Sequence, residues 1–104
     1  MEKRYRRMLD GLREKDEIAP KEWSVYIVRC GDESLYTGIA KDVEARVACH
    51  NRGTGAAYTR SRRPVRLGYR RDGMTRSEAL VMEARIKSLP RAEKERLLNA
   101  PDGK

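Results

Sequence analysis

A chain of 104 residues leaves room for one domain with a single modest core of about two layers, and excludes a multidomain architecture. Hydrophobic and charged residues each make up 38% of it, which is low in apolar content but not disordered, and phenylalanine is absent, so tyrosine supplies most of the aromatic surface. The formal net charge is +8, and residues 41–76, with ten Lys/Arg against three acids, carry +7 of it.

In chain order, residues 2–15 read as a short charged helix, with Tyr5, Met8, Leu9 and Leu12 at helical spacing. A charged connector containing Pro20 runs to residue 22. Ser24 to Cys30 is β-branched and aromatic, hence a strand. Gly31-Asp32-Glu33 supplies a turn, with Gly31 available for a positive φ, and Leu35 to Ala40 returns as the second strand. Side chains alternate along strands, so an odd loop puts Tyr26 and Tyr36 on one face and an even loop separates them. Asp42 caps a helix to about Asn51. At about 100° per residue, Val43, Arg46, Val47 and His50 share one arc, and the valines draw Arg46 and His50 toward the sheet.

Residues 52–64 read as a basic, glycine-bearing loop, and Val65 to Arg71 as a third strand. Thr75-Arg76-Ser77-Glu78 is a capping box for a helix to about Leu89, after which Pro90 begins a final short helix through Asn99. The predicted organisation is an N-terminal helix and connector over 1–22, a domain over 23–98 and a tail over 99–104. Cys30 and Cys49 make neither a metal motif nor a disulfide framework. No apolar run approaches a membrane span, and the charged N-terminus lacks the core of a signal peptide, so the expectation is a cytoplasmic protein, with association to the nucleoid as an extension.

An arginine-rich patch of this density points to phosphates, where an evenly mixed surface would not. The candidate nucleic-acid contacts are Lys41, Arg52, Tyr58, Arg60, Arg62 and Arg63. Tyr58 suits stacking on a base or sugar, or a place in the core. Cleaving a phosphodiester needs a proton acceptor for water, a counter-charge for the phosphorane and stabilisation of the leaving oxygen. Arg46 suits the second task by its planar fork, the alternative being a surface pair with Asp42. Glu83, at the border of the stripe formed by Ala79, Met82, Ile86 and Leu89, suits the third by holding a divalent ion, the alternative being an i,i+4 pair with Lys87. Tyr26 and Tyr36 suit the first. A phenol titrates at about pH 10 unperturbed, and a neighbouring Arg46 and a cation are expected to lower that value. Plain hairpin packing is the alternative for both tyrosines. His50, the sole histidine, lies one turn beyond Arg46 and is either part of the site or structural.

Ser24-Val25-Tyr26, Tyr36-Thr37-Gly38, the segment from Arg46 to His50-Asn51, and Glu83 in Ala79-Leu80-x-x-Glu83-x-x-Ile86-Lys87 together resemble the GIY-YIG nuclease family, with Ser24 in place of the usual first glycine. The likeness covers about residues 23–98. It is nearest to the small single-domain bacterial branch, whose Gly-Ala-x-Tyr-Thr-Arg loop is matched from Gly55 to Arg60. The resemblance implies an α+β fold, a three-stranded antiparallel sheet flanked by helices, with the N-terminal helix as an addition. It further implies a metal-dependent DNA endonuclease. Tyr26 would be the general base, alone or with Tyr36 and His50. Arg46 would bind the scissile phosphate, and Glu83 would ligate a single Mg2+ or Mn2+. Asn99 lies too far beyond the glutamate helix to match the family's asparagine. With no recognition domain expected after Lys104, the resemblance favours DNA structure over sequence as the target, in repair or recombination, or reliance on a partner protein for targeting. The alternative is a non-catalytic DNA- or RNA-binding module on the same fold.

Overall fold

The computed structural model describes residues 19–99; the helix expected over 2–15 and nearly all of the 99–104 tail lie outside them. Seven elements follow in order: β1 (Trp23–Arg29), β2 (Leu35–Ala40), α1 (Val43–Arg52), α2 (Ala57–Arg60), β3 (Arg66–Met74), α3 (Arg76–Lys87) and α4 (Arg91–Asn99). The strands form one antiparallel sheet in the order β2-β1-β3. This is the expected α+β architecture. No described helix is long and apolar enough to cross a membrane.

The register settles the parity question. Tyr26 pairs with Gly38 and Val28 with Tyr36, so Tyr26 and Tyr36 project from the same face. The connection holds five residues rather than three, still an odd number. The left-handed residue in it is Glu33, at φ 71°, and not Gly31. Gly31 is needed for another reason: a Cβ there would lie 2.9 Å from the Arg63 carbonyl oxygen, where the Gly31 N–H already donates to the Arg62 carbonyl at 2.7 Å. That contact ties the hairpin tip to the basic loop.

The strand alternation of β1 builds two apolar clusters. Tyr26 and Val28 pack with Cys30, Ala40, Val65 and the Val43 of α1, flanked by Tyr36 and Val47. Val25 and Ile27 pack on the opposite face with Tyr69, Met74, Ala79 and Ile86, flanked by Met82, Leu97 and Leu98 of α3 and α4. Asp42 caps α1 by accepting from the Ala45 N–H at 3.0 Å, and Thr75 and Glu78 form the expected capping box of α3. β3 extends past the predicted end at Arg71 because two register shifts against β1 let Met74 reach Trp23. The predicted loop 52–64 contains the one-turn helix α2. Both cysteines are free, Cys30 buried and Cys49 half-buried.

The final helix is tied down by charge. Glu95 accepts from both Arg29 and Arg91, and these bonds, Arg29 first, pull its carboxyl down to about 2. A depressed carboxyl stabilises the fold above its unfolded pKa and loses that contribution as pH falls through the folded value. Glu95→Gln is therefore expected to lower the melting temperature at pH 6, with the difference from wild type shrinking between about pH 4.5 and pH 2. Thermal melts across that range check it.

Candidate active site

Tyr26 stands at the centre of the sheet with 1% of its surface exposed. Its ring lies over Gly38, its cross-strand partner. A Cβ on Gly38 would sit 2.6 Å from the phenol oxygen, so the second motif ends in glycine to leave room for the first motif's tyrosine. Ser24, on the same face of β1, donates its hydroxyl to Asp72 of β3, a bond that a glycine at that position cannot make.

Helix α1 brings His50 down onto the phenol. His50 is fully buried, with Nε2 2.8 Å from the Tyr26 hydroxyl and Nδ1 2.7 Å from the Thr59 hydroxyl. The loop passes so close that a Cβ on Gly55 would meet Nδ1 at 2.4 Å, a second position where only glycine fits. The Tyr36 ring meets the imidazole edge-on at 5.3 Å between centroids. One helical turn before His50, the half-buried Arg46 lies near enough to the Tyr26 phenol for its guanidinium to favour the phenolate.

Burial dominates the electrostatics here. It pushes the Tyr26 phenol up to about 12; the Arg46 hydrogen bond and charge pull it down, while the charges of Tyr36 and Glu83 push it up. Arg46 alone therefore does not lower the phenol's pKa, since desolvating a phenolate outweighs one guanidinium; the expected lowering joined a cation to Arg46. Burial, and then the Arg46 charge, also push His50 below the usual imidazole value, so the ring is neutral at pH 7.

Glu83 approaches from α3. Its side chain is 19% exposed, its Oε2 lies 3.2 Å from Lys87 Nζ, and its charge reaches Tyr26. It is therefore neither in open solvent nor unpaired. Among the described residues no three His, Cys, Asp or Glu side chains converge as a preformed metal cage. A lone carboxylate does fit an ion that keeps most of its waters, as magnesium does.

The basic loop is only partly available to a ligand. Tyr58, 39% exposed, stacks on Tyr36 at 5.8 Å, and the Arg62 guanidinium lies 3.9 Å above the Tyr58 ring. Arg62 also bonds Asp32 and the Tyr58 carbonyl, and Arg63 bonds the carbonyls of Arg60 and Asn51. Both arginines thus hold the loop's own shape. Arg60 is exposed and lines an open depression of about 480 Å³ with Asn51, Ser61, Arg63 and Pro64. Arg52 turns back onto Cys49 Sγ at 3.1 Å. Lys41 is apart from the others, 3.1 Å from Glu22 and over the Trp23 ring. Tyr26, Tyr36, Arg46 and His50 thus come together with Glu83 in electrostatic reach, while Lys41 does not join them. The sequence gives Thr59 no separate role; its signals are the Gly55–Arg60 loop pattern that contains it and the small residues Gly55 to Ala57, which let a loop pass close to something.

A three-stranded sheet that buries a phenol–imidazole pair under an arginine places the chain among small α+β nuclease domains. The family model described as the GIY-YIG catalytic domain matches residues 22–96, and the chain belongs to the GIY-YIG family, a family of nucleases. It is 60% identical over 74 residues to UPF0213 proteins of Staphylococcus aureus strains Mu3 and N315, an overlap of 71% of this chain and 90% of each relative. It is also similar to the UPF0213 protein of Bacillus halodurans, solved by NMR in solution: 39% identical, covering 78% of this chain and 89% of that one, at a TM-score of 0.49.

Proposed function

We propose that residues 23–98 form a divalent-metal-dependent DNA endonuclease domain that recognises nicked, branched or damaged DNA in repair or recombination. The observation that carries this reading is the buried 2.8 Å contact between the Tyr26 hydroxyl and His50 Nε2, beside Arg46. Burial raises the Tyr26 phenol to about 12, so before metal and substrate bind it is held as the neutral phenol at pH 7. As the phenol oxygen takes the proton of the attacking water, its own proton passes to His50 Nε2. The neutral imidazole becomes imidazolium and is re-formed when the proton leaves. Arg46 binds the scissile phosphate and balances the charge gathering on its oxygens. Glu83 would hold a single Mg2+ or Mn2+, which when bound adds positive charge at the leaving oxygen. Arg60 and the edge of Tyr58 face the flanking DNA, with Arg52, Arg62 and Arg63 adding field to the same surface.

Purified protein incubated with supercoiled, branched and single-stranded DNA, with Mg2+ or with chelator, tests the reading. Glu83→Gln is expected to lower Mg2+-dependent cleavage by about 100-fold or more while leaving DNA affinity within about threefold. The Glu83–Lys87 pair favours one competing reading, a binding module whose carboxylate serves only the helix. That reading requires DNA binding that weakens steeply with salt, no cleavage of any substrate, and no effect of Glu83→Gln.

A further inference from the structure

The imidazole of His50 has one proton to place, and the hydrogen bonds around it decide where. Arg46, beside the phenol, can only donate and so offers the Tyr26 hydroxyl no acceptor. The phenol's own O–H then has His50 Nε2, 2.8 Å away, as its acceptor. At the other end, the Thr59 hydroxyl lies 3.0 Å from the Ala56 carbonyl, a group that can only accept. A hydroxyl that gives its one proton to that carbonyl must accept from His50 Nδ1, 2.7 Å away. The chain of bonds then runs in one direction, from Tyr26 through His50 and Thr59 to Ala56. Reversing it would leave the buried phenol proton without an acceptor, since Arg46 offers none, and unpaired buried polar groups are costly. Among the described residues no buried side-chain polar atom lacks a partner.

We propose that Thr59 is a positioning residue: it fixes the His50 proton on Nδ1 and so keeps the Nε2 lone pair turned toward Tyr26. Thr59 is fully buried and sits on the single turn of α2, which carries Tyr58 and Arg60 on its exposed side. The loop that faces DNA therefore also sets the polarity of the proton path. The catalytic consequence rests on the nuclease reading above; the position of the proton does not, and it can be read without substrate.

His50 is the sole histidine, so the full-length 15N-labelled protein gives one set of imidazole signals. Long-range 1H–15N correlation at neutral pH is expected to show the Nδ1–H tautomer in wild type and in Thr59→Ser. In Thr59→Val, which removes the acceptor, the signal is expected to move toward Nε2–H. Single-turnover cleavage should fall about tenfold or more in Thr59→Val and recover in Thr59→Ser. A wild-type ring protonated on Nε2, or a tautomer unchanged by Thr59→Val, overturns the proposal. The wild-type spectrum decides the first point even if Thr59→Val does not fold. If the tautomer is Nδ1–H but wild type cuts no DNA, the nuclease reading fails and the assignment of Thr59 stands.

Discussion

Tyr26→Phe is expected to cut DNA at least about 10³-fold more slowly than wild type under single-turnover conditions in Mg2+. The substitution removes one oxygen and nothing else. The ring still lies over Gly38 and still packs with Val28, Ala40 and Val43. What disappears is the 2.8 Å bond to His50 Nε2 and, with it, the atom that the proposed mechanism uses to take a proton from water. Stability should fall by only about 1–2 kcal/mol, the cost of a buried imidazole nitrogen left without a donor. A folded Tyr26→Phe protein with near-wild-type cleavage would remove the phenol from the chemistry. Tyr36→Phe is the informative comparison, because Tyr36 contacts the imidazole by its ring edge and stacks on Tyr58.

Gly38→Ala acts on the same oxygen from the opposite strand. The added methyl would lie 2.6 Å from the phenol oxygen and 2.8 Å from the ring carbon that bears it, so the tyrosine must move. A shift of about 1 Å at a reacting group can cost about 100-fold in rate, and overpacking a core typically costs about 1–3 kcal/mol. Gly38→Ala is therefore expected to lose about 100-fold in cleavage with a modest loss of melting temperature. Its DNA affinity should hold, since no surface charge changes. Wild-type rates from this variant would mean that the position of the phenol is not critical.

Much of this centre was legible in the sequence, and the reasons are physical. Hairpin parity placed Tyr26 and Tyr36 together because an odd loop of any length gives that result; the length and the left-handed Glu33 did not matter. The arc of Val43, Arg46, Val47 and His50 was readable because apolar neighbours on a helix fix the orientation of the polar residues between them. The Thr75 capping box announced the helix that carries Glu83. Depth was not legible. The neighbours of Tyr26 could be listed from the motifs, but how far the phenol is withdrawn from water could not, and burial is what raises its pKa against the pull of Arg46. Intramolecular partners were hidden too. Arg62 and Arg63 add to any count of charge, yet Arg62 holds Asp32 and Arg63 holds the Asn51 carbonyl, partners that lie far off in sequence. Thr59 was hidden because one turn of helix in a polar loop has no periodicity to betray a buried face. The bulges that lengthen β3 were hidden for a similar reason, since an extra residue is visible only against its partner strand.

The proposed mechanism requires Tyr26 and Glu83 to serve one reaction. The most direct test is a double-mutant cycle in single-turnover cleavage of a branched duplex in Mg2+, using wild type, Tyr26→Phe, Glu83→Gln and the double variant. Groups that act as a unit give strongly non-additive losses. The expected result is that wild type cuts, each single variant is severely impaired, and the double variant is within about tenfold of the worse single. Losses that multiply, or a wild-type protein that leaves the duplex intact, would contradict it.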